Sequence, residues 1–356
     1  MCAHRPRKGL ENSKRNNIIM MLISFGTRPE YIKIKPLLTE FDGKIPYALL
    51  FTGQHTSLLK KVISTTDVRQ LQIEDGENRL DSIVASIMNS GHVFNKITRV
   101  MVQGDTTSAF AVALAAFHRK LTIIHLEAGL RTGDLMHPYP EEFNRQAISR
   151  LANIHLCPTD LSAYNLRREN LTSNVHIVGN TVLDNLKDIK SSYGNTILVT
   201  MHRRENHAMM DKWFYELEAL AVQYPQYEFI IPLHPNPNVQ QYKHIFKKVR
   251  VIDPVGHQEF VRMIANCRFI ITDSGGIQEE ASFLGKKCIV CRQITERVEG
   301  MGLFSFMCPG PSELKELFKW LDDDDKFKAS PDEACPYGDG NSSKKIAQIL
   351  REEADV

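Results

Sequence analysis

No stretch of the 356 residues approaches the ~18–20 consecutive apolar residues of a membrane-spanning helix, so no membrane partner is expected. Basic blocks are equally scarce. Lys and Arg number 44 against 42 Asp and Glu, and the net charge of +2 carries no Lys/Arg run with interleaved aromatics, so nucleic acid is not an expected partner either. There is no G-x-G-x-x-G and no Walker P-loop, which argues against a nicotinamide enzyme and against a γ-phosphate machine. No internal repeat recurs at solenoid periods. The seven cysteines are odd in number and scattered, which points to reduced thiols and a cytoplasmic setting. Cys288 and Cys291 form a C-x-x-C, but they lie in the strand-like run Lys287–Cys291, where positions i and i+3 face opposite sides. A shared metal or disulfide is therefore not expected, and no metal or cofactor is assigned.

What remains is the composition of a soluble globular chain, 42% hydrophobic and 24% charged, long enough for two domains of roughly 150–180 residues. Residues 1–17 are basic and polar and read as a disordered tail. The run from Ile18 to Phe25 could mimic a short signal-peptide core, yet it has no small-residue cleavage site and leads straight into Gly26-Thr-Arg-Pro-Glu30; it reads as the first buried strand. From there strand-like and helix-like runs alternate to about Asp322, the signature of parallel βαβ units. Strands are expected near 18–25, 47–52, 98–103, 121–126 and 154–157, with helices near 30–41, 55–65, 79–95, 107–118 and 140–152. A polar helix follows Val182, and 190–194 reads as a hinge. The series restarts with strands near 196–201, 227–232, 249–252, 268–272 and 287–291; 325–340 is loop and 341–353 a last helix. The expected division is a tail at 1–17, doubly wound domains at 18–185 and 186–340, and a terminal helix at 341–356. Two doubly wound parallel sheets imply a cleft between them, since each opens its ligand crevice at the carboxyl ends of its strands.

The most charged of those strand ends is His125–Arg145, which follows the apolar Leu121–Ile124 and carries Glu127, Arg131, Asp134, His137, Glu141, Glu142 and Arg145. Its bland reading is a loop and a salt-bridged helix start. Gly104-Asp-Thr-Thr-Ser108 follows the neighbouring strand. A lone Asp there is most often an N-cap, but Asp105 could instead join Glu127 and Glu141 in one crevice, where crowded carboxylates separate into acid and base. Near Gly26, Arg28 and Lys33 offer cations at a helix N-terminus, although Thr27 and Pro29 could simply start that helix. In the second half, His202, Arg203, Arg204 and Glu205 end one strand, His234 and Asn236 follow the next, and Thr295-Glu-Arg297 follows the last. In Thr272-Asp-Ser-Gly-Gly-Ile-Gln-Glu-Glu280, Ser274, Gly275 and Gly276 open a helix with bare amides suited to a diphosphate, and Glu280 could take the ribose hydroxyls.

Taken together, GTRPE with Lys33, TGQH at Thr52–His55, GDTTS, HLEAGLR, PEEFNR, HRREN, HPNPNV, DSGGIQEE and TER resemble the non-hydrolysing UDP-N-acetylglucosamine 2-epimerase family, in the right order from about residue 20 to 310. The resemblance implies a GT-B-like fold: two Rossmann-like domains, UDP in the interdomain cleft and a C-terminal helix returning to the first domain. It implies Asp105, Glu127 and Glu141 as acid/base carboxylates, with His202 beside the leaving diphosphate. It implies Arg28, Lys33, Gln54, His55, Arg131, Arg145, Arg203, His234, Asn236, Ser274, Gly275, Gly276, Glu280 and Arg297 as substrate-binding. Elimination of UDP would give a 2-acetamidoglycal, and re-addition the C2 epimer, with UDP-GlcNAc and UDP-ManNAc as the default pair in glycan precursor synthesis. A homodimer is expected on the same ground.

The chain departs from the family pattern at Met201 before HRRE, at Val298 after TER and at Phe304-Ser305. Arg297-Val-Glu-Gly-Met301 resembles the branch acting on 6-deoxy L-sugars such as precursors of UDP-L-rhamnosamine. Readings of other classes are a GT-B glycosyltransferase moving sugar from UDP to an acceptor and a nucleotide-sugar sensor without catalysis.

Overall fold

The computed structural model describes residues 20–53, 68–74, 76–330 and 332–353. The helix expected at 55–65, and Gln54 and His55 with it, lie outside the described residues.

Short runs of β-branched and other apolar residues form two wholly parallel sheets. The first comprises β1 (Met21–Phe25), β2 (Tyr47–Phe51), β3 (Val68–Gln70), β4 (Arg99–Gln103), β5 (Thr122–Leu126), β6 (Ile154–Cys157) and β7 (Val175–Ile177), in the order β3-β2-β1-β4-β5-β6-β7. The second comprises β8 (Thr196–Thr200), β9 (Glu228–Pro232), β10 (Arg250–Ile252), β11 (Phe269–Thr272), β12 (Cys288–Val290) and β13 (Ser305–Met307), in the order β10-β9-β8-β11-β12-β13. Both orders reverse direction once, between β1 and β4 and between β8 and β11, and those switch points open crevices at the strand ends.

Apolar side chains alternate between the two faces of each sheet, because strand residues point alternately up and down. Leu22, Val100 and Val102 enter one core while Met21, Ile23 and Met101 enter the other. In the second sheet Cys288 and Val290 lie in one core and Ile289 and Cys291 in the other, so the two thiols of the C-x-x-C face opposite sides. The helix Ser342–Glu352 returns to the first sheet, where Ile346, Ala347 and Leu350 join the core around Met21. Asp184 receives its first amides, Ser342 N at 3.0 Å and Ser343 N at 2.7 Å, as an anion at a helix N-terminus should.

Three edge strands, β3, β7 and β13, go beyond the sequence expectation; each has three residues and no continuous apolar run. The helix expected at 79–95 ends at Asn89, with a 3-10 turn at Gly91–Phe94, and the polar helix after Val182 is a 3-10 segment, Thr181–Leu186. The segment 190–194 is bound to the second domain, with Ser191 Oγ on Ala265 O at 3.0 Å and Lys286 Nζ on Ser192 O at 2.6 Å. Among the described residues no helix is long and apolar enough to cross a membrane.

Candidate active site

On the first sheet, the loops after β1, β4 and β5 meet at the switch point. Thr27 caps the helix Arg28–Phe41 with Pro29 in its first turn, and Glu30 closes a capping box, accepting from Gly26 N (2.8 Å) and Thr27 N (2.6 Å). The other oxygen of Glu30 accepts from Thr106 Oγ1 (2.7 Å), which joins the β1 and β4 loops. Arg28 is exposed, whereas Lys33 reaches inward to Glu127.

The N-cap of the helix Thr107–His118 is Thr106, not Asp105. Asp105 is thereby free to face the cleft, where Arg145 Nε and Nη2 hold its Oδ2 at 2.8 and 2.6 Å. Arg145 also contacts Glu142 at 3.1 Å and lies 3.7 Å from Glu296 of the second domain. Glu141 opens the helix Glu141–Leu151; its buried Oε2 has no hydrogen-bond partner, and burial and then Asp105 push its carboxyl up.

Glu127 takes a left-handed backbone conformation, φ +66°, which is uncommon outside glycine and marks a constrained position. Lys33 Nζ stands 2.5 Å from its Oε1, Arg297 Nη2 3.0 Å and Asn180 Nδ2 3.5 Å, while Gln103 Nε2 donates to Oε2. Burial pushes this carboxyl up, but Lys33 and Arg297 outweigh burial and hold it below the usual carboxylate range. Glu127 is thus an anion and Glu141 a weaker acid, in one crevice.

On the second sheet, Asp273 after β11 organises the loop after β8. Its Oδ2 accepts from His202 N (2.9 Å), Arg203 N (2.8 Å) and Asn206 Nδ2 (3.1 Å). His202 stacks on His234, with ring centroids 5.1 Å apart and planes at 15°. Burial lowers the His202 pKa against the pull of Asp273, and burial and then His202 lower that of His234, so both rings tend to be neutral. Arg297, Arg292 and Arg145, and then Arg203, hold Glu296 well below the usual carboxylate range, while Arg203 offsets part of the rise at Glu141. Asn236 caps the short helix Pro237–Gln240.

Ser274 opens the helix Gly275–Phe283 without a side-chain cap; its own N–H donates to Thr272 Oγ1 at 3.0 Å, and a Cβ on Gly276 would meet nothing within 4 Å, so the helix start is open at Gly276. Glu280, on that helix, holds His257 Nε2 at 2.6 Å. Arg297 stands over the same helix start: a Cβ on Gly275 would lie 2.9 Å from its Nη1. That guanidinium also bonds Glu279 at 3.0 Å and Glu296. Arg131 gives its guanidinium to Glu169 (2.7 and 2.9 Å) and Ser149 (3.0 Å) rather than to these carboxylates.

Sequence reasoning passed over Gln103, Asn180, Asp273, Glu279 and Glu296. Asp273 and Glu279 lie inside the motif already singled out and Glu296 inside TER; for Asp273, directly after β11, the strand end was the available signal. Asn180 follows Gly179, whose φ of +87° marks a turn.

The assembly pairs differently poised carboxylates with an open helix N-terminus, as expected of a site that moves protons beside a bound anion. Residues 39–351 match the family described as UDP-N-acetylglucosamine 2-epimerase. A protein of that name from Campylobacter jejuni is 38% identical, over 93% of this chain and 97% of its own. The crystal structure of the Neisseria meningitidis UDP-GlcNAc 2-epimerase bound to UDP-GlcNAc superimposes with a TM-score of 0.85 at 34% identity, covering 94% of this chain and all (100%) of that one. That of the Methanocaldococcus jannaschii enzyme in complex with UDP-GlcNAc and UDP gives 0.80 at 26% identity, covering 94% and 100%. The two-sheet architecture is GT-B-like, and the chain belongs to the UDP-N-acetylglucosamine 2-epimerase family.

Proposed function

We propose that the chain inverts C2 of a UDP-N-acetylhexosamine, with UDP-GlcNAc and UDP-ManNAc as the default pair, by eliminating and re-adding UDP. The hydrogen at C2 has no adjacent carbonyl to acidify it. As the C1–O bond to UDP breaks, positive charge develops at C1 and makes that hydrogen removable. A carboxylate takes the proton, leaving a 2-acetamidoglycal and UDP; a second group then protonates C2 from the opposite face while UDP re-adds at C1. The observation that carries this reading is the split among the carboxylates: Glu127 is held anionic by Lys33 and Arg297, while Glu141 is pushed up by burial and by Asp105. Ser274, Gly275, Gly276 and Arg297 would hold the diphosphate, His202 would stand beside it as it leaves, and Glu280 would hold the ribose. Arg28, Lys33, Gln54, His55, Arg145, Arg203, His234 and Asn236 complete the proposed binding set, with Arg131 supporting the β5 loop. Retaining UDP while its bond is broken requires the two domains to close over the cleft.

Incubating the purified protein with UDP-GlcNAc alone and separating the products tests the proposal. Formation of UDP-ManNAc without an acceptor supports it; UDP release only when an acceptor is added supports a glycosyltransferase. The sequence Arg297-Val-Glu-Gly-Met301 favours one alternative within the same chemistry, a UDP-6-deoxy-L-N-acetylhexosamine substrate. The proposed setting is glycan precursor synthesis in the cytoplasm by a homodimer.

A further inference from the structure

Four side chains close a ring across the boundary between the two sheets. Glu127 Oε1 lies 3.0 Å from Arg297 Nη2; Arg297 Nε lies 3.0 Å from Glu279 Oε1. Glu279 Oε2 accepts from Asn180 Nδ2 at 2.8 Å, and Asn180 Nδ2 reaches back to Glu127 Oε1 at 3.5 Å. The members come from four separate places: the loop after β5, the crossover after β7, the helix Gly275–Phe283 and the loop after β12. Glu279 has 0% exposure, and its two oxygens are taken by Arg297 and Asn180. They set the direction of two donors that meet at the proposed acid/base carboxylate.

We propose that Glu279 is a positioning residue, which fixes Arg297 and Asn180 so that each offers one remaining N–H to Glu127. The guanidinium of Arg297 is shared among three carboxylates, Glu127, Glu279 and its chain neighbour Glu296. Arg297 donates to Glu279 through Nε, to Glu296 through Nη1, which also lies over the helix start, and to Glu127 through Nη2. A bound diphosphate at that helix start would draw on the same guanidinium, and Glu279 would keep it from collapsing wholly onto either anion. The groups facing Glu127 are Lys33 from the first helix, Arg145 from the helix Glu141–Leu151, and Arg297 from the second domain, with Glu279 behind the last.

The inference rests on the proposed acid/base role of Glu127, and its test separates the two. Glu279→Gln keeps the shape but removes the charge and one acceptor. Arg297 is then shared by Glu127 and Glu296 alone and more of its charge falls to Glu127, so turnover falls about tenfold or more, and the acid limb of the kcat–pH profile moves to lower pH. UDP affinity holds or rises, because the site loses a negative charge. Asn180→Ala opens the same ring, and the double variant is no slower than the slower single variant. Turnover within about twofold of the parent with an unmoved acid limb would overturn the inference. So would additive losses, or a parallel fall in melting temperature, UDP affinity and kcat. Glu127→Gln, measured beside them, keeps the two ideas apart: if it retains full activity, the acid/base reading itself fails.

Discussion

Arg297 and Glu127 are 170 positions apart in sequence and 3.0 Å apart in the fold. Their contact joins the loop after β12 to the loop after β5, so the charge on the β5 carboxylate depends on the second domain being in place.

Replacing Glu127 with Gln keeps the shape but removes the charge that Lys33 and Arg297 stabilise. Turnover is expected to fall by about a thousandfold while UDP still binds. Steady-state rates and calorimetric titration with UDP check both halves. Full activity would remove Glu127 from the reaction.

Two glycines in singled-out motifs should respond oppositely to alanine. Gly129 has φ +86°, and a Cβ there would lie 2.1 Å from the backbone oxygen of Ser162, so Gly129→Ala should destabilise the fold by about 3 kcal/mol or more. Gly276 meets nothing within 4 Å, so Gly276→Ala should leave the melting temperature unchanged and weaken UDP about tenfold by crowding the diphosphate amides. Thermal melts and UDP titrations of the two variants distinguish a structural glycine from a binding one.

Buried histidines should set an acid limit on stability. Burial lowers the pKa of His125 to about 3, from an ordinary value of 6.5 that the unfolded chain retains. His155 is lowered to about 4 for the same first reason. The unfolded state therefore binds more protons below pH 6.5, so this stabilisation is complete above pH 6.5 and is lost as pH falls towards the folded values. Unfolding midpoints should decline between pH 6.5 and 4, and His125→Gln, which can still donate to Gly104 O, should flatten the decline.

Much of this was legible in the sequence because buried parallel strands are continuous apolar runs and their ends carry the chemistry. The rule picks out Asp105 and Glu127, just past the ends of β4 and β5. It missed β3, β7 and β13, since Val68-Arg-Gln70, Val175-His-Ile177 and Ser305-Phe-Met307 are short edges without such a run. It could not separate Arg131 from Arg145, two cations of one segment. Their partners, Glu169 and Asp105, are distant in sequence, and only the packing of the helices decides which pair forms. Glu279 was read past for the same reason: its partners Arg297 and Asn180 lie 18 and 99 positions away.

Proton NMR of UDP-GlcNAc with the purified protein in deuterated water, with no metal, cofactor or acceptor added, addresses elimination and re-addition at C2 most directly. The C2 proton signal should disappear as deuterium enters, while a UDP-ManNAc anomeric signal grows. Epimer formed with its C2 proton retained would contradict the account, as would no exchange on either UDP-GlcNAc or a 6-deoxy L-sugar nucleotide.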